Sequence, residues 1–138
     1  MTDDIRLAII LNPALPLGTA ANTAGAVAIG LGARFPVLAA ARLTDISGRS
    51  IDISADRPVP ILQADEAGMQ ALLQKALPVG DDRAVVVFPA FARMLHAYAD
   101  YEAAFPGRDL AGEALDGVGL AGPSKWVRSL TGSLKLLR

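Results

Sequence analysis

Short apolar runs alternate along the chain with longer segments whose apolar residues recur at helical spacing. Residues 5–11 (IRLAIIL) are almost continuously apolar, which predicts a strand buried on both faces of a sheet. A loop with two prolines follows, and residues 17–33 then predict an alanine-rich helix. We attribute the glycines of this helix to close packing on the sheet, with the approach of a ligand as the alternative; they are Gly18, Gly25, Gly30 and Gly32.

The middle of the chain predicts a hairpin, a strand and a second helix. Residues 43–53 alternate around a central Ser-Gly-Arg turn, which is typical of a small hairpin. Residues 59–62 follow and interleave with prolines, which predicts a strand near a sheet edge. Asp65 and Glu66 place carboxylates on the first turn of a helix that ends near residue 77. The predicted apolar stripe of this helix consists of Met69, Leu72, Leu73 and Ala76.

The last third of the chain continues the alternation. Residues 84–88 (AVVVF) give the clearest signal of a buried strand, and residues 90–105 predict a helix with Met94, Leu95 and Tyr98 at helical spacing. Residues 114–121 predict another strand, which ends at Gly122-Pro123 before a final helix over residues 124–130. The alternation predicts a single α/β domain over residues 1–138, built on a mixed sheet with helices on both faces.

Composition narrows the classes of function. Hydrophobic residues make up 52% of the 138 residues and aromatic residues only 5%, so Ala, Leu and Val must fill the core. The chain has 13 Lys and Arg against 14 Asp and Glu, which gives a net charge of -1. A nearly neutral protein is a poor general binder of polyanions, so we do not favour a nucleic-acid partner. The absence of cysteine and the single histidine, His96, argue against a metal centre or a Ser-His-Asp triad. We therefore expect neither a metal nor another cofactor.

The chain shows no sign of membrane targeting. Its first residues, MTDD, are acidic where a secretory signal would be basic, and no apolar run approaches the roughly 18 residues of a membrane span. We expect a cytoplasmic protein without a membrane partner. A homodimer is an assembly that the sequence leaves open, and Trp126 on the last helix is a candidate for a subunit contact as well as a hydrophobic anchor.

Three polar side chains form the candidate pocket. Asn12 and Asn22 flank the predicted mouth between the first strand and the first helix, where α/β sheets usually bind ligands. Thr19 lies early in the same helix and could aim its hydroxyl at a ligand. The structural alternatives are that Asn12 closes the strand end, that Thr19 caps the helix and that Asn22 bonds to nearby backbone. A small molecule is the ligand that this pocket would hold.

Basic residues at the end of the chain form a candidate anion site. Ser124, Lys125 and Arg128 lie on the last predicted helix, whose amino end could bind a phosphate. Lys135 and Arg138 add further positive charge, and Asp116 is the last acidic residue before them. An ordinary charged surface is the alternative, and His96 is likewise either a surface residue or an acid/base group.

Two segments resemble class II peptidyl-tRNA hydrolases. The first comprises residues 5–11, the proline loop and residues 18–26 (GTAANTAGA), which are similar to that family's opening strand and first helix. The second, residues 130–137 (LTGSLKLL), is similar to the family's ending. The resemblance implies a peptidyl-tRNA hydrolase II-like fold. Its catalytic pattern is not matched, because Gly18, or Thr19 if the alignment shifts by one, stands where the family has lysine. Gly25 stands where it has histidine and Gly117 where it has threonine, and its aspartate has no clear equivalent, although Asp109 and Asp116 lie in that region. Without the lysine, no cation is available there to polarise a carbonyl or hold a phosphate.

Over its whole length the chain is similar to a bacterial domain-of-unknown-function family, DUF2000, which the same resemblance places in the hydrolase II-like fold. The matching segments are residues 12–22, 58–62 and 117–138. We favour a catalytically divergent module that binds a small molecule or a partner. The alternatives are an enzyme with relocated hydrolytic chemistry, which would use Asn12, Thr19, Asn22 or His96, and residual peptidyl-tRNA hydrolysis. Whether the chain is an enzyme therefore stays open at this point.

Overall fold

The computed structural model describes residues 4–138, and a five-stranded mixed sheet organises them. Its strands run in the order β5-β6-β1-β4-β7. β1 and β4 are parallel, and the other three pairings are antiparallel. The strands are β1 (Ile5–Leu11), β4 (Ile61–Gln63), β5 (Ala84–Pro89), β6 (Leu115–Pro123) and β7 (Lys135–Leu136), and a separate hairpin is formed by β2 (Arg42–Thr44) and β3 (Ser50–Asp52).

The described residues form four α-helices, three of which cover the two faces of this sheet, and several short 3-10 helices connect the elements. The helices are α1 (Leu17–Arg34), α2 (Glu66–Ala76), α3 (Tyr98–Ala104) and α4 (Ser124–Thr131). α1 packs on one face, and α2 and α4 pack on the other. The predicted mixed sheet with helices on both faces is therefore confirmed. None of the helices formed by residues 4–138 combines the length and the apolar character needed to cross a bilayer.

The central strand β1 shows why both faces are covered. Successive side chains of a strand point to opposite faces, so Leu7 and Ile9 join the core under α1 while Ala8 and Ile10 join the core under α2 and α4. All of these side chains are buried, as a strand enclosed by two layers of helix requires. The continuous apolar run that predicted this strand is thus explained.

Close contact between α1 and the sheet depends on glycines of β6. A Cβ added to Gly119 would overlap Val27 Cγ1, and one added to Gly117 would lie 2.7 Å from Thr23 Cγ2. The expectation that the glycines of α1 provide this contact was wrong for three of them, because a Cβ at Gly18, Gly25 or Gly32 would meet nothing within 4 Å; it is confirmed for Gly30, which packs on Val86. The helix approaches the sheet because the sheet lacks side chains there.

Residues 84–88 are a strand, but the prediction that they are the best buried strand was wrong. β5 occupies one end of the five-stranded order, and its residues from Val85 to Phe88 are only half-buried. The strand with the most continuous burial is β6, whose first eight residues are buried between β1 and β5. Position in the sheet, which the local sequence does not encode, decides the difference. The strand predicted near a sheet edge, β4, lies one place inside the edge strand β7.

The prediction of one continuous helix over residues 90–105 was also wrong. A 3-10 helix over Ala90–Met94 is followed by a break, and α3 begins only at Tyr98. The predicted apolar stripe is not buried, since Met94 and Tyr98 are largely exposed. Tertiary contacts explain the break: Arg93 pairs with Asp116 at the start of β6, and the Tyr101 hydroxyl donates to the Val87 carbonyl at 3.3 Å. Each half of the segment is thus fixed separately.

The predicted hairpin is confirmed and projects from the body of the protein. β2 and β3 pair in antiparallel register, and Gly48 occupies the left-handed region at φ 85° in the turn. The Asp45 carboxylate accepts hydrogen bonds from the backbone N–H groups of Ser47 and Arg49, and these bonds hold its pKa below the usual value. Every residue from 39 to 52 is exposed, and we call this segment the arm.

Two further predictions are confirmed at the second helix and at the chain end. The predicted stripe of α2 is buried in full, and the Asp65 carboxylate caps the helix by accepting from the Gly68 N–H at 2.8 Å. The break at Gly122-Pro123 leads directly into α4. Trp126 packs against the core on the face of the sheet that α2 and α4 cover, beneath the Arg83 guanidinium, which confirms its role as an anchor.

Candidate functional site

Several strands begin or finish at one end of the sheet, at the level of the last residues of β1; we call this the cleft end of the sheet, as distinct from its edge strands β5 and β7. The parallel strands β1 and β4 both finish there, and their register brings Leu11 opposite Gln63. Because β6 is antiparallel to β1 and to β5, β5 also ends at this end of the sheet, and β6 begins there. Loops beyond the carboxyl ends of parallel strands are the usual place for ligand sites in α/β proteins. We therefore define the candidate site at this end of the sheet.

A cleft of about 280 Å³ opens beyond the ends of β1 and β4. Pro13 follows β1 and forms one wall, while Gln63 and Asp65 come from the end of β4. The opposite wall is the segment that joins α4 to β7, with Ser133 and Lys135. The cleft therefore contains an amide, a hydroxyl, a carboxylate and an ammonium group.

The charges of the cleft are not equivalent. Lys135 pairs directly with Gln63 across β7 and β4, so the two side chains project from the same face of the sheet. Asp65 is committed to the amino end of α2 through its bond to Gly68. Within residues 4–138 no carboxylate forms an ion pair with Lys135. The ammonium group of Lys135 is thus the charge that a ligand in the cleft would meet.

Beside the cleft, Asn12 links the first loop to a buried ion pair. Its backbone N–H donates to the Asp116 carbonyl at 3.1 Å, and its side-chain oxygen accepts from the Ala14 N–H at 3.0 Å. The Asp116 side chain is only 3% exposed and lies 2.5 Å from Arg93 Nε, whereas the Arg93 side chain is 44% exposed. Asn12 therefore stabilises the loop that borders the cleft, as the structural alternative for this residue expected.

The structure places the other two candidate pocket residues on α1, away from this cleft. The Thr19 carbonyl accepts from the Thr23 hydroxyl at 2.8 Å, and Asn22 is exposed. α1 begins at Leu17 with Pro16 at the cap position and without a side-chain cap, so the expected capping by Thr19 was wrong. No hydrogen bond within the described part of the chain joins the side chains of Asn12, Thr19 and Asn22, and none of the three lines the cleft.

The candidate anion site lies at the opposite end of the sheet, where β1 begins and β6 finishes. Ser124 lines a cavity of about 270 Å³ together with Arg6 and Arg57. Arg57 is held by its bonds to Asp56 and to the Ile5 carbonyl. The other two residues of the predicted set, Lys125 and Arg128, are exposed on α4 and do not line this cavity. The structure thus separates Ser124 from the cleft that contains Lys135 by the length of β1, roughly 20 Å.

The single histidine does not contribute to either cavity. His96 is exposed in the break between the 3-10 helix and α3. Across residues 4–138, no three His, Asp or Glu side chains are grouped so that they could hold a metal ion.

Comparison with known proteins identifies the family. The model of the family described as a protein of unknown function (DUF2000) matches residues 5–138. The chain belongs to the DUF2000 family. A solved structure with the same fold is that of Atu0240, a protein of unknown function from Agrobacterium tumefaciens strain C58. It superposes with a TM-score of 0.86 at 18% identity, over 96% of this chain and 97% of that one. No curated protein matches the chain.

Within this DUF2000 protein, the three positions implied by the hydrolase resemblance differ in their surroundings. Gly18 and Gly25 face open space, so packing does not prevent a larger side chain there. Gly117 is different, because a Cβ at this position would lie 2.7 Å from Thr23 Cγ2 and 3.0 Å from Leu11 Cδ2. A threonine at 117 would therefore force Thr23 and its surroundings to shift. The resemblance to the hydrolase fold itself stays a prediction.

Apart from Asp65, which the sequence marks as a helix-start carboxylate, the polar residues that line the cleft of this protein carry no sequence signal of a shared site. Gln63 and Ser133 carry no local signal of binding, and their proximity depends on the pairing of β4 with β7. Lys135 was counted only as part of a basic chain end. Arg93 and Asp116 meet because β5 ends beside the start of β6, although 23 positions separate them in the chain. Only their side chains' opposite charges could have suggested this pair.

Proposed function

We propose that this DUF2000 protein is a binding module on a peptidyl-tRNA hydrolase II-like scaffold, and that it holds a small acidic molecule in the cleft beside β7. The observation that carries the proposal is that Lys135, a cation, lines the cleft at the carboxyl ends of the parallel strands β1 and β4. The other polar groups that face the ligand are the Gln63 amide and the Ser133 hydroxyl.

Electrostatics favours an acidic ligand. A cation that has no carboxylate partner among residues 4–138 gains a charge-assisted hydrogen bond when a carboxylate or phosphate enters, and such bonds are about twice as strong as neutral ones. The Asp65 carboxylate in the same cleft is already engaged with the Gly68 N–H, so it competes little for Lys135. Gln63 and Ser133 also line the cleft, and their amide and hydroxyl groups would donate further hydrogen bonds to the acidic group.

The size of the cleft favours a small ligand. At about 280 Å³ it lies just below the range of roughly 300–1,000 Å³ that is usual for drug-sized ligands. Its walls also include Pro13 and Leu134, which offer apolar contact for the remainder of the molecule. A simple organic acid or a small phosphate fits these properties better than a peptide or a nucleic acid does.

Binding can be tested by NMR titration. Inorganic phosphate and a panel of small carboxylic acids are added to the ¹⁵N-labelled protein at low ionic strength, and backbone amide shifts are followed. We expect saturable shifts at Gln63, Ser133 and Lys135 for at least one compound. The substitution Lys135→Gln is expected to weaken binding about 10- to 100-fold, the effect of losing one charged hydrogen bond.

The matched control is Lys125→Gln, which removes one exposed cation from α4 and leaves the cleft unchanged. It should bind the same compound with unaltered affinity. Equal losses in both variants would indicate a general charge effect and would count against the cleft. Shifts confined to the cavity at Ser124 would assign binding to the opposite end of the sheet and refute the proposal.

A further inference from the structure

The outer face of α1 is unusual for a helix on the surface of a protein. From Leu17 to Ala33 the helix contains no charged residue, and Arg34 at its end is the first. Leu17 is 87% exposed and Ile29 is 75% exposed, although the opposite side of the helix is buried against the sheet. A surface helix normally carries charged and polar residues on its solvent side, whereas Asn22 is the only polar residue among the exposed positions of α1 before Arg34. This face therefore calls for a second covering layer.

The arm is the second unusual feature, and it adjoins the same face. Its apolar side chains Leu43, Ile46 and Ile51 are exposed, with Ile46 entirely in solvent at the turn. A two-stranded hairpin is marginally stable by itself and is usually supported by packing. A groove of about 250 Å³ connects the two features, since it is lined by Ile29 of α1 and by Ala39 at the base of the arm.

We propose that the outer face of α1 and the arm form the interface of a homodimer, in which the arm of each copy packs on α1 of the other. The charges support this occupant. Arg42 pairs with Asp52 at 3.2 Å and Arg49 pairs with Asp45 at 2.7 Å, so the charges of the arm are balanced within the arm itself. An arm of this kind can cover an uncharged helix without burying an unpaired charge.

The extent of the surface agrees with a stable dimer. α1 exposes ten residues, and all fourteen residues of the arm are exposed. Together they fall within the roughly 20–30 residues that a standard interface buries on each partner. A two-fold axis would cover both features of both copies at once, because each copy supplies the same arm and the same helix.

Sedimentation equilibrium on the full chain tests the proposal. We expect a particle of twice the chain mass of 14.3 kDa at micromolar concentration. Ile29→Glu and, separately, Ile46→Glu should each raise the dissociation constant of the dimer at least about 30-fold, the effect of a hot-spot residue. Both side chains are exposed in the single chain, so circular dichroism should show an unchanged fold.

The matched control is Met94→Glu, which places the same charge at another exposed apolar residue, 77% exposed and outside this face. Its dissociation constant should equal that of the unmodified protein. A monomer at concentrations of several hundred micromolar overturns the proposal. So does a dimer that tolerates both glutamates or that Met94→Glu disrupts to the same degree.

Discussion

Replacing Gly119 with alanine tests the packing that joins α1 to the sheet. The added methyl group would overlap Val27 Cγ1 and would lie 3.0 Å from Leu31 Cδ1, and both of these side chains are fully buried. Burial of one methyl group contributes about 0.8 kcal/mol in favour of folding. Overpacking of a well-filled core costs about 1–3 kcal/mol, and the direct overlap places this site at the upper end. We expect a net loss of about 2 kcal/mol.

Urea unfolding followed by circular dichroism measures the change at low protein concentration. With a slope of about 1–3 kcal/mol per molar urea, the midpoint should fall by roughly 1 M. Gly25→Ala is the matched control, since its methyl group enters open space on a helix. Alanine at that position should raise the free energy of unfolding by about 0.5–1 kcal/mol. The same substitution is therefore expected to have opposite signs at the two glycines.

A double-mutant cycle identifies the cause of the loss. Val27→Ala removes the methyl group that the new Cβ meets, so Gly119→Ala should cost at least about 1 kcal/mol less in that background. The packing argument fails if Gly119→Ala is as stable as the unmodified protein. It fails equally if the loss is the same whether residue 27 is valine or alanine.

Three further predictions concern the ion pair, the arm and the chemistry. Arg93→Ala should destabilise by about 3 kcal/mol and Asp116→Asn by less, because the first leaves a buried carboxylate unpaired while Arg93 is half exposed; the reverse order in urea unfolding would contradict this. The carboxyl of Asp45 should titrate below 3.8 when it is followed by ¹³C NMR, because the hydrogen bond from the Arg49 backbone N–H is the largest cause that lowers its pKa. The stability that this carboxylate gives to the arm is therefore present above pH 3.8 and is lost as the pH falls through the folded-state pKa. We expect no hydrolysis of N-blocked aminoacyl-tRNA, since Gly18 supplies no cation; product at high enzyme concentration would refute that expectation.

The elements that the sequence predicts correctly have strong local signals. The stripe of α2 and its capping carboxylate Asp65 lie within a few residues of each other, and the break at Gly122-Pro123 needs only backbone stereochemistry. The hairpin of the arm follows in the same way from alternation around Gly48. Such signals depend on neighbours in the chain and survive whatever the rest of the fold does.

The candidate site was less accessible to sequence reasoning. Asn12 was identified from its place after the first strand, and it does lie at the cleft end of the sheet. Lys135 and Gln63 are brought together only by the pairing of β7 with β4. The sequence predicts that Asn12 and Asn22 flank the mouth between the first strand and the first helix and that Thr19 lies early in that helix, but Thr19 and Asn22 lie on α1 and do not line the cleft. Sequence proximity is a poor guide to proximity at the ends of strands.

Hydrophobic periodicity and backbone preference are local properties, so the amino-acid sequence is sufficient to predict the order and type of most elements and the two-sided burial of β1, and it shows the absence of charge on α1 directly. The tertiary fold is needed to see that β5 is an edge strand, that Gly119 rather than the glycines facing solvent lets α1 approach the sheet, and which polar residues line one cleft. These outcomes depend on strand order and helix position, which arise from contacts between residues far apart in the chain.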